Sequence, residues 1–367
     1  MRILFTCDSI REPVRGPSRM SLTILREFAA AGQEVIPLDW QDNPAAEEAA
    51  GRPCRVLPAP WPRFKTALWH LFLLRRLARR AIPHDVLVNP SAYPNAFGRH
   101  RSLALFVLDL SALEPGYYRP AKRLWFRLFY GAGLRRARLR VCISAYTRSL
   151  LLRRYPDLDP ARCPVVHLGV ERTLSPPAAT RPPADPPYFL FVGTLEKRKN
   201  VLRLLEAFAT ARKRGVVAEL RLAGREGKGG SEILRRADQA DLSGCVRLLG
   251  PVGDAQLREL YRGTLALLYP SLDEGFGLPI LEAMQAGAPV LTSKVAAMPE
   301  VAGDAALLVD PLDGQEIAFG IVALSEDAAL RARLATLGRE RLTAFEPEDK
   351  AAELLAALES MLQRQEA

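Results

Sequence analysis

Short apolar runs alternate with longer amphipathic stretches along the chain, a pattern that predicts parallel β-strands connected by helices. Near the start, a strand at 3–5, a loop at 13–19, a helix at 20–31 and a strand at 34–38 predict a βαβ unit. Two parallel α/β sheets, each of the doubly wound Rossmann-like kind, are therefore expected. Further strands are predicted at 85–88, 104–108, 141–144, 188–192, 218–222, 245–249, 265–269 and 288–292.

A stretch without periodicity separates the two halves of the chain. Residues 173–187 contain six prolines and no helical or strand pattern, as an interdomain linker does. We therefore expect an N-terminal domain at 1–172 and a C-terminal domain at 188–346. The apolar spacing within 348–363 predicts a terminal helix, which makes 347–367 a separate final segment.

The composition is that of a globular protein, with 367 residues that are 49% hydrophobic and 25% charged. The five cysteines are scattered, so neither a disulfide framework nor a zinc site is predicted, and a reducing cytoplasm fits best. The first apolar run is too short for a secretory signal, and no run approaches the ~20 residues of a membrane-spanning helix. We expect a cytoplasmic protein, peripheral at most on the inner face of the cell membrane.

Positive charge is concentrated in the first half. Residues 1–172 carry 28 Lys and Arg against 14 Asp and Glu, whereas the remainder carries 23 against 27. An anionic partner of the first half is the economical explanation. Two stretches, 66–82 and 122–140, combine aromatic residues with arginines at helical spacing. They are either domain helices with solvated basic faces or helices that dock on an anionic membrane surface.

The stretch 270–287 carries the strongest chemical signal. It follows a predicted buried strand, and its glycines allow backbone amides to approach a ligand. A helix is predicted from Pro279 to Gly287, with its positive N-terminal end at the loop. Such a strand, loop and helix end form an anion site at the carboxyl edge of a parallel sheet. The loop residues expected to contact the anion are Gly275, Phe276, Gly277 and Leu278.

Two carboxylates flank this loop. Glu274 precedes it, and Glu282 is predicted in the first turn of the helix, where the dipole favours an acid. Acids beside a phosphate site are repulsive unless they bind something else, and sugar or ribose hydroxyls are natural partners. The alternatives without a ligand-binding role are a solvated loop carboxylate for Glu274 and a helix-stabilising residue for Glu282. The stretch predicts a site for a phosphorylated sugar.

The segment from Glu274 to Glu282, Glu-Gly-Phe-Gly-Leu-Pro-Ile-Leu-Glu, resembles the paired-glutamate signature of the retaining family 4 glycosyltransferases. The similarity continues through 288–290, 299–306 and 310–311, and backwards through 192–195 and 198–200. It is dense in the C-terminal half and scattered in the N-terminal half. The resemblance implies the GT-B architecture, two Rossmann-like domains facing an interdomain cleft, with the terminal helix at 347–367 crossing back to the N-terminal domain. It also implies a ribose-binding role for Glu282 and a sugar-contacting, catalytic role for Glu274.

Cations are expected at the end of the first strand of the C-terminal domain. Gly193 and Thr194 end that strand, and Arg198 and Lys199 follow within six residues. A leaving diphosphate gains negative charge as the sugar bond breaks, so Lys199 is assigned a catalytic role and Arg198 a binding role. The family places an Arg at the position of Thr194, and Arg198 is expected to replace it. A solvated basic face is the bland alternative.

Four further positions complete the predicted site. Gly224 and Gly250 end two more strands, where such folds bind nucleotides, although either glycine can simply turn the chain. Gly16 lies in the loop that the family places near the donor phosphates. Asp109 ends a strand where the family often has a His-Asp pair, with Leu108 in place of the His. It is assigned to the acceptor, and capping of the next segment is an equal alternative.

The resemblance implies a retaining transferase that moves a hexose, with mannose the first expectation, from GDP-mannose or a UDP-sugar to a glycan or lipid-linked acceptor. Polysaccharide biosynthesis is the expected context. The nucleotide-diphosphate sugar is a co-substrate, and neither a cofactor nor a metal is required, because lysine, arginine and helix amides can carry the phosphate charge. One alternative is a catalytically silent protein that binds sugar nucleotides or lipid on the same scaffold. A nucleic-acid binder that uses the basic half is disfavoured, since no recognition motif is present.

Overall fold

The computed structural model describes residues 1–11, 16–59, 65–77, 82–91, 93, 95–98, 100–114, 117, 120–170 and 186–366. The chain folds as two compact units. The first, called unit 1, comprises Met1–Glu171 and Phe345–Ala367, and the second, called unit 2, comprises Arg172–Ala344. Of the proline-rich linker expected at 173–187, all but the last two residues lie outside the described residues.

Unit 1 is built on a six-stranded parallel sheet. The strands lie in the order β3-β2-β1-β4-β5-β6, so the direction of winding reverses between β1 and β4. β4, β5 and β6 are buried at every position, because helices cover both faces of a parallel sheet. The strands are β1 (Arg2–Thr6), β2 (Glu34–Asp39), β3 (Arg55–Val56), β4 (Val86–Asn89), β5 (Leu103–Val107) and β6 (Leu139–Cys142).

The helices of unit 1 correct two predicted boundaries. The first helix begins at Gly16 rather than at 20. A proline is tolerated at its second position, because the backbone N–H that proline lacks has no intrahelical partner in the first turn of a helix. The fourth helix ends at Arg136, so Arg140, predicted on its basic face, lies in β6 and is 4% exposed. The helices are α1 (Gly16–Ala30), α2 (Pro44–Ala50), α3 (Lys65–Leu77), α4 (Pro120–Arg136) and α5 (Ala145–Arg154).

Unit 2 repeats the architecture, with strand order β12-β11-β10-β7-β8-β9, all parallel. The prediction of two parallel α/β sheets is confirmed, and the short strand β12 was missed. The strands are β7 (Tyr188–Val192), β8 (Glu219–Ala223), β9 (Val246–Gly250), β10 (Leu267–Tyr269), β11 (Val290–Ser293) and β12 (Leu307–Val309). The helices are α6 (Val201–Lys213), α7 (Gly230–Ala237), α8 (Asp254–Gly263), α9 (Leu278–Gln285), α10 (Met298–Ala302), α11 (Gly314–Glu326) and α12 (Ala328–Arg341).

The terminal helix α13 (Pro347–Glu366) belongs to unit 1. Just before α13, the Phe345 carbonyl accepts a hydrogen bond from the Val170 amide at 3.0 Å. Val170 lies near the end of the Met1–Glu171 part of unit 1. The approach is close at Gly169, since a Cβ there would lie 2.5 Å from the α-carbon of Pro347. A residue without a side chain is therefore required where α13 meets the rest of unit 1.

Two histidines of unit 1 form a stacked pair. The rings of His84 and His100 are 4.9 Å apart, with their Nε2 atoms at 2.7 Å. The Ser102 amide donates to His100 Nδ1, and His84 Nδ1 lies 2.7 Å from the Ile82 carbonyl. Each ring nitrogen of the pair therefore has a hydrogen-bond partner. Burial, together with electrostatic repulsion from His84, lowers the pKa of His100 to about 4.

Acidification is expected to destabilise the protein through this pair. The unfolded chain binds a proton at His100 near its ordinary pKa of about 6.5, whereas the folded chain does so only near pH 4, so stability falls as the pH drops between these values. Urea unfolding at pH 7 and pH 5 should show a loss of about 2 kcal/mol. His100→Gln should remove most of that difference, and an undiminished pH dependence in this variant would contradict the assignment.

Candidate functional site

The ends of three neighbouring strands of unit 2 pack backbone against backbone. The Gly193 amide donates to the Ala223 carbonyl at 2.9 Å, and the Gly224 amide donates to the Gly250 carbonyl at 2.8 Å. All three glycines have positive φ, at 149°, 156° and 66°. A Cβ on Gly224 would lie 1.8 Å from the Gly193 carbonyl oxygen. At Gly224 the requirement for glycine is thus set by backbone packing.

The loops after β7 and β10 lie side by side, because these strands are neighbours in the sheet. The first loop forms a short 3-10 turn at Lys197–Lys199, and the Leu272 amide of the second donates to the Arg198 carbonyl at 2.9 Å. Asn200 follows in the left-handed conformation, and its amide nitrogen donates to the Pro270 and Pro311 carbonyls. Asn200 therefore anchors the turn that carries the cations, a role that the sequence did not indicate.

Three of the predicted residues, Glu274, Lys199 and Arg198, form a buried cluster. Glu274 is 7% exposed, with Oε1 at 2.5 Å from Lys199 Nζ and Oε2 at 2.7 Å from Arg198 Nη1. The same Arg198 nitrogen donates to the Asp273 carbonyl at 2.8 Å. Both oxygens of the acid are thus engaged by the two cations predicted for the diphosphate.

Tyr269, the last residue of β10, completes the cluster. Its hydroxyl accepts from Lys199 Nζ at 2.5 Å and donates to Glu274 Oε1 at 3.0 Å. The side chain is fully buried, and burial raises its pKa well above the usual value, so the hydroxyl keeps its proton. Sequence reasoning missed Tyr269, since it stands in an apolar strand. The available signal was its position as a polar tip at the carboxyl end of that strand.

The electrostatics of the cluster favour an ionised acid. Burial alone would raise the pKa of Glu274, but Lys199 and Arg198 outweigh it and lower that pKa to about 2. Burial lowers the pKa of Lys199, although Glu274 opposes that shift. Glu274 is therefore a carboxylate at neutral pH, held in place by opposite charges.

Glu282 lies on α9, which begins at Leu278, one residue earlier than predicted. The prediction that Glu282 lies in the first turn of this helix is therefore wrong. It stands in the second turn, where the helix dipole is weaker, and it is half-buried. Its Oε2 accepts from the hydroxyl of Tyr261, a residue of α8 that is 1% exposed, at 2.9 Å. Tyr261 is a second residue that the sequence did not single out.

The remaining loop residues line the entry to α9. Gly277, at φ 113°, precedes the helix, and a Cβ there would press on the Ile280 side chain at 3.1 Å. Phe276 is 4% exposed and Gly275 is also buried, while Leu278 is half-buried. Phe276 therefore packs into the protein and leaves only its backbone for contact with a ligand. Thr194 is half-buried. It packs against Gly227, since a Cβ added to Gly227 would lie 2.5 Å from the methyl group of Thr194.

The two predicted site residues of the N-terminal half belong to unit 1, whereas the cluster belongs to unit 2. Gly16 is the first residue of α1. Asp109 follows β5, and its Oδ1 accepts from the Ser111 amide at 3.0 Å and from the Ser111 hydroxyl at 2.6 Å. This is the geometry of a cap on the following turn, the alternative that the sequence left open.

Comparison with known proteins places both halves in described families. Residues 14–174 match Glycosyltransferase Family 4, and residues 177–341 match Glycosyl transferases group 1. O-antigen chain mannosyltransferase B of Escherichia coli is 29% identical over 355 residues, covering 90% of this chain and 92% of that protein.

Solved structures share the fold over nearly the whole chain. Anabaena HepE, crystallised with UDP and glucose, has a TM-score of 0.75 at 18% identity, covering 98% of this chain and all of that one. Sucrose-phosphate synthase from Thermosynechococcus elongatus also has a TM-score of 0.75, at 20% identity, covering 99% and 98%. These matches confirm the predicted GT-B fold class of two Rossmann-like sheets.

Proposed function

The chain belongs to the glycosyltransferases, with a family 4 N-terminal part and a group 1 C-terminal part, and we propose that it transfers a hexose with retention of configuration from a nucleotide-diphosphate donor. The observation that carries this proposal is the buried cluster of Glu274, Lys199 and Arg198. Two cations and one carboxylate at the carboxyl edge of a parallel sheet suit a diphosphate joined to a sugar. No metal is needed in this proposal, since both phosphate charges can be met by side chains.

The donor diphosphate is proposed to take Lys199 and Arg198 from Glu274. The bond from the sugar to the phosphate then breaks, and the electron pair stays on the diphosphate, whose added charge the two cations stabilise. The released carboxylate of Glu274 faces the sugar, which carries positive charge in the transition state. The acceptor hydroxyl attacks from the side of the leaving group and gives its proton to a phosphate oxygen, so configuration is retained.

The donor and acceptor are proposed from the relatives. The O-antigen mannosyltransferase similarity supports mannose as the sugar and a lipid-linked or free glycan as the acceptor, in polysaccharide biosynthesis. HepE was solved with UDP, which supports a nucleotide donor but leaves GDP-mannose and a UDP-sugar as the two donors to compare. Gly16, Gly193, Gly224 and Gly250 remain proposed donor contacts through their backbone, and Asp109 a proposed acceptor contact.

A direct test is titration calorimetry with GDP-mannose, UDP-glucose and related donors, followed by a transfer assay with the donor that binds. We expect one donor to bind and its sugar to move to a glycan acceptor with the anomeric configuration unchanged, as read by NMR. Inverted product would refute the retaining mechanism. Nucleotide binding without any transfer or donor hydrolysis would favour the catalytically silent binding protein instead.

Tyr261→Phe should weaken donor binding without slowing the chemical step. The change removes the hydroxyl that orients Glu282 and keeps the ring, so the ribose hydroxyls meet a less ordered carboxylate. The donor KM should rise about 10-fold while kcat changes little. Tyr188→Phe is the matched control, because this buried tyrosine of the same unit donates to the Leu260 carbonyl and not to Glu282. An equal rise of KM in both variants would contradict the assignment.

A peripheral membrane contact through unit 1 is also proposed. No described helix is long and apolar enough to cross a bilayer. α4 presents Leu124 and Leu128, 58% and 61% exposed and one turn apart, beside the exposed Arg127. In α3, by contrast, Arg75 lies over the Phe97 ring, and Arg76 donates to the Pro58 carbonyl. Arg79 and Arg80, which belong to the stretch 66–82, lie outside the described residues.

The α4 face is expected to bind anionic vesicles. Leu124→Ser combined with Leu128→Ser should lower the bound fraction at least 10-fold in co-sedimentation, since two leucines would no longer enter the lipid. Val217→Ser combined with Leu312→Ser is the control, because both are exposed apolar residues of unit 2. Unchanged vesicle binding by the α4 variant would contradict the proposed membrane contact.

A further inference from the structure

Unit 1 contains a cavity whose charged lining consists of arginine alone. The cavity has a volume of about 200 Å³ and lies between α13 and the start of β6. Its charged lining residues are Arg138, in the turn before β6, Arg162, in the short helical turn Pro160–Arg162, and Arg364, in the last turn of α13. Among the described residues that line it, none is acidic. Three chain segments that are distant in sequence thus bring positive charge to one place.

The positive charge around the cavity is poorly compensated. Arg162 lies 3.3 Å from Asp159, but both side chains are about half exposed, so water and salt screen this pair. Arg140 follows the lining residue Leu139 in β6 but does not itself line the cavity; it is 4% exposed and donates Nε and Nη2 to the Leu134 and Ala137 carbonyls. Its third nitrogen, Nη1, is buried without a partner among the described residues. Arg140 also feels the positive charge of Arg162, and an anion in the cavity would offset the like charges of the three lining arginines.

We propose that this cavity binds a phosphoryl group. Guanidinium groups bind phosphate oxygens through paired N–H donors, and three of them from separate segments can surround one tetrahedral anion. The volume holds a phosphate with a small organic group attached, so free phosphate and a phosphorylated lipid head group are the two sources. A bound phosphoryl group would remove the repulsion among the arginines. It would also tie the last turn of α13 to β6.

The first test is thermal unfolding of the full chain with inorganic phosphate, against chloride at equal ionic strength. We expect phosphate at about ten times its Kd to raise the unfolding midpoint by roughly 2–4 °C. Arg162→Gln combined with Arg364→Gln should abolish the rise. In the absence of phosphate the same variant should be as stable as the unchanged protein or more so, because like charges are removed; a merely structural role would instead lower its stability.

Two controls separate this cavity from other phosphate sites. Lys199→Ala removes a cation of the proposed donor site in unit 2 and should keep the phosphate response. Arg153→Gln combined with Arg154→Gln removes two exposed arginines of α5 and should keep it too. The proposal is overturned if phosphate gives no rise, if the cavity variant keeps it, or if either control loses it. None of these outcomes depends on glycosyl transfer.

The source of the phosphoryl group follows from a second arm. Vesicles of phosphatidylcholine with and without phosphatidic acid are compared by co-sedimentation, with the α4 leucine variant as background. Loss of phosphatidic acid binding in the arginine pair variant identifies a lipid head group. A phosphate response without such a loss identifies a phosphoryl group from solution.

Discussion

Glu274→Gln is expected to lower kcat for sugar transfer about 100- to 1000-fold while nucleoside diphosphate binding stays equal or becomes tighter. The rate falls because a neutral amide cannot stabilise the positive charge that develops on the sugar. Binding is spared because Lys199 and Arg198 no longer have to leave a carboxylate at 2.5 and 2.7 Å. Initial rates at saturating donor and titration calorimetry with the nucleoside diphosphate measure the two effects separately.

The control is Glu326→Gln, an exposed carboxylate on α11, which should change neither quantity. Folding of the Glu274 variant is checked by unfolding in urea, since breaking a buried ion pair can cost about 3–5 kcal/mol. Glutamine keeps an oxygen for the Tyr269 hydroxyl, which limits that cost. A folded variant with full transfer activity would contradict the proposal that the donor diphosphate takes Lys199 and Arg198 from Glu274. A folded variant that has lost nucleotide binding along with transfer would contradict it too.

Gly224→Ala is expected to unfold unit 2 or to destabilise it by about 3 kcal/mol or more. The new Cβ would lie 1.8 Å from the Gly193 carbonyl oxygen, a backbone atom that cannot rotate away. The backbone φ of 156° adds strain for any residue with a side chain. The unfolding midpoint in urea, followed by circular dichroism, measures the loss.

Gly215→Ala is a matched control for the conformational part of this effect. Gly215 also has a positive φ, 99°, but an added Cβ would meet nothing within 4 Å. It should therefore cost only about 1 kcal/mol. If the two variants were equally stable, backbone contact between Gly193 and Gly224 would not be the reason for glycine at 224.

Where sequence reasoning fell short, the cause was that periodicity reports burial but not pairing. The apolar pattern indicates only that Tyr269 lies in a strand. Its hydroxyl acquires a role because β10 lies beside β7 in the sheet. The spacing of arginines within 122–140 predicts a helical position for Arg140, although this residue lies in β6. Its aliphatic stem and buried position are compatible with a strand, and the strand boundary depended on pairing with β5 that no local pattern records.

The amino-acid order by itself determined the two parallel sheets, most strand positions and the glycines at strand ends, because hydrophobic period and backbone freedom are local properties. It also indicated that Glu274, Lys199 and Arg198 serve one site. Only the tertiary structure decided that the cations engage the acid directly, that Tyr269 and Tyr261 hold the two glutamates, and that three arginines surround one cavity. Those contacts join residues far apart in the chain, and they exist only once strand order and helix packing bring the side chains within hydrogen-bond distance.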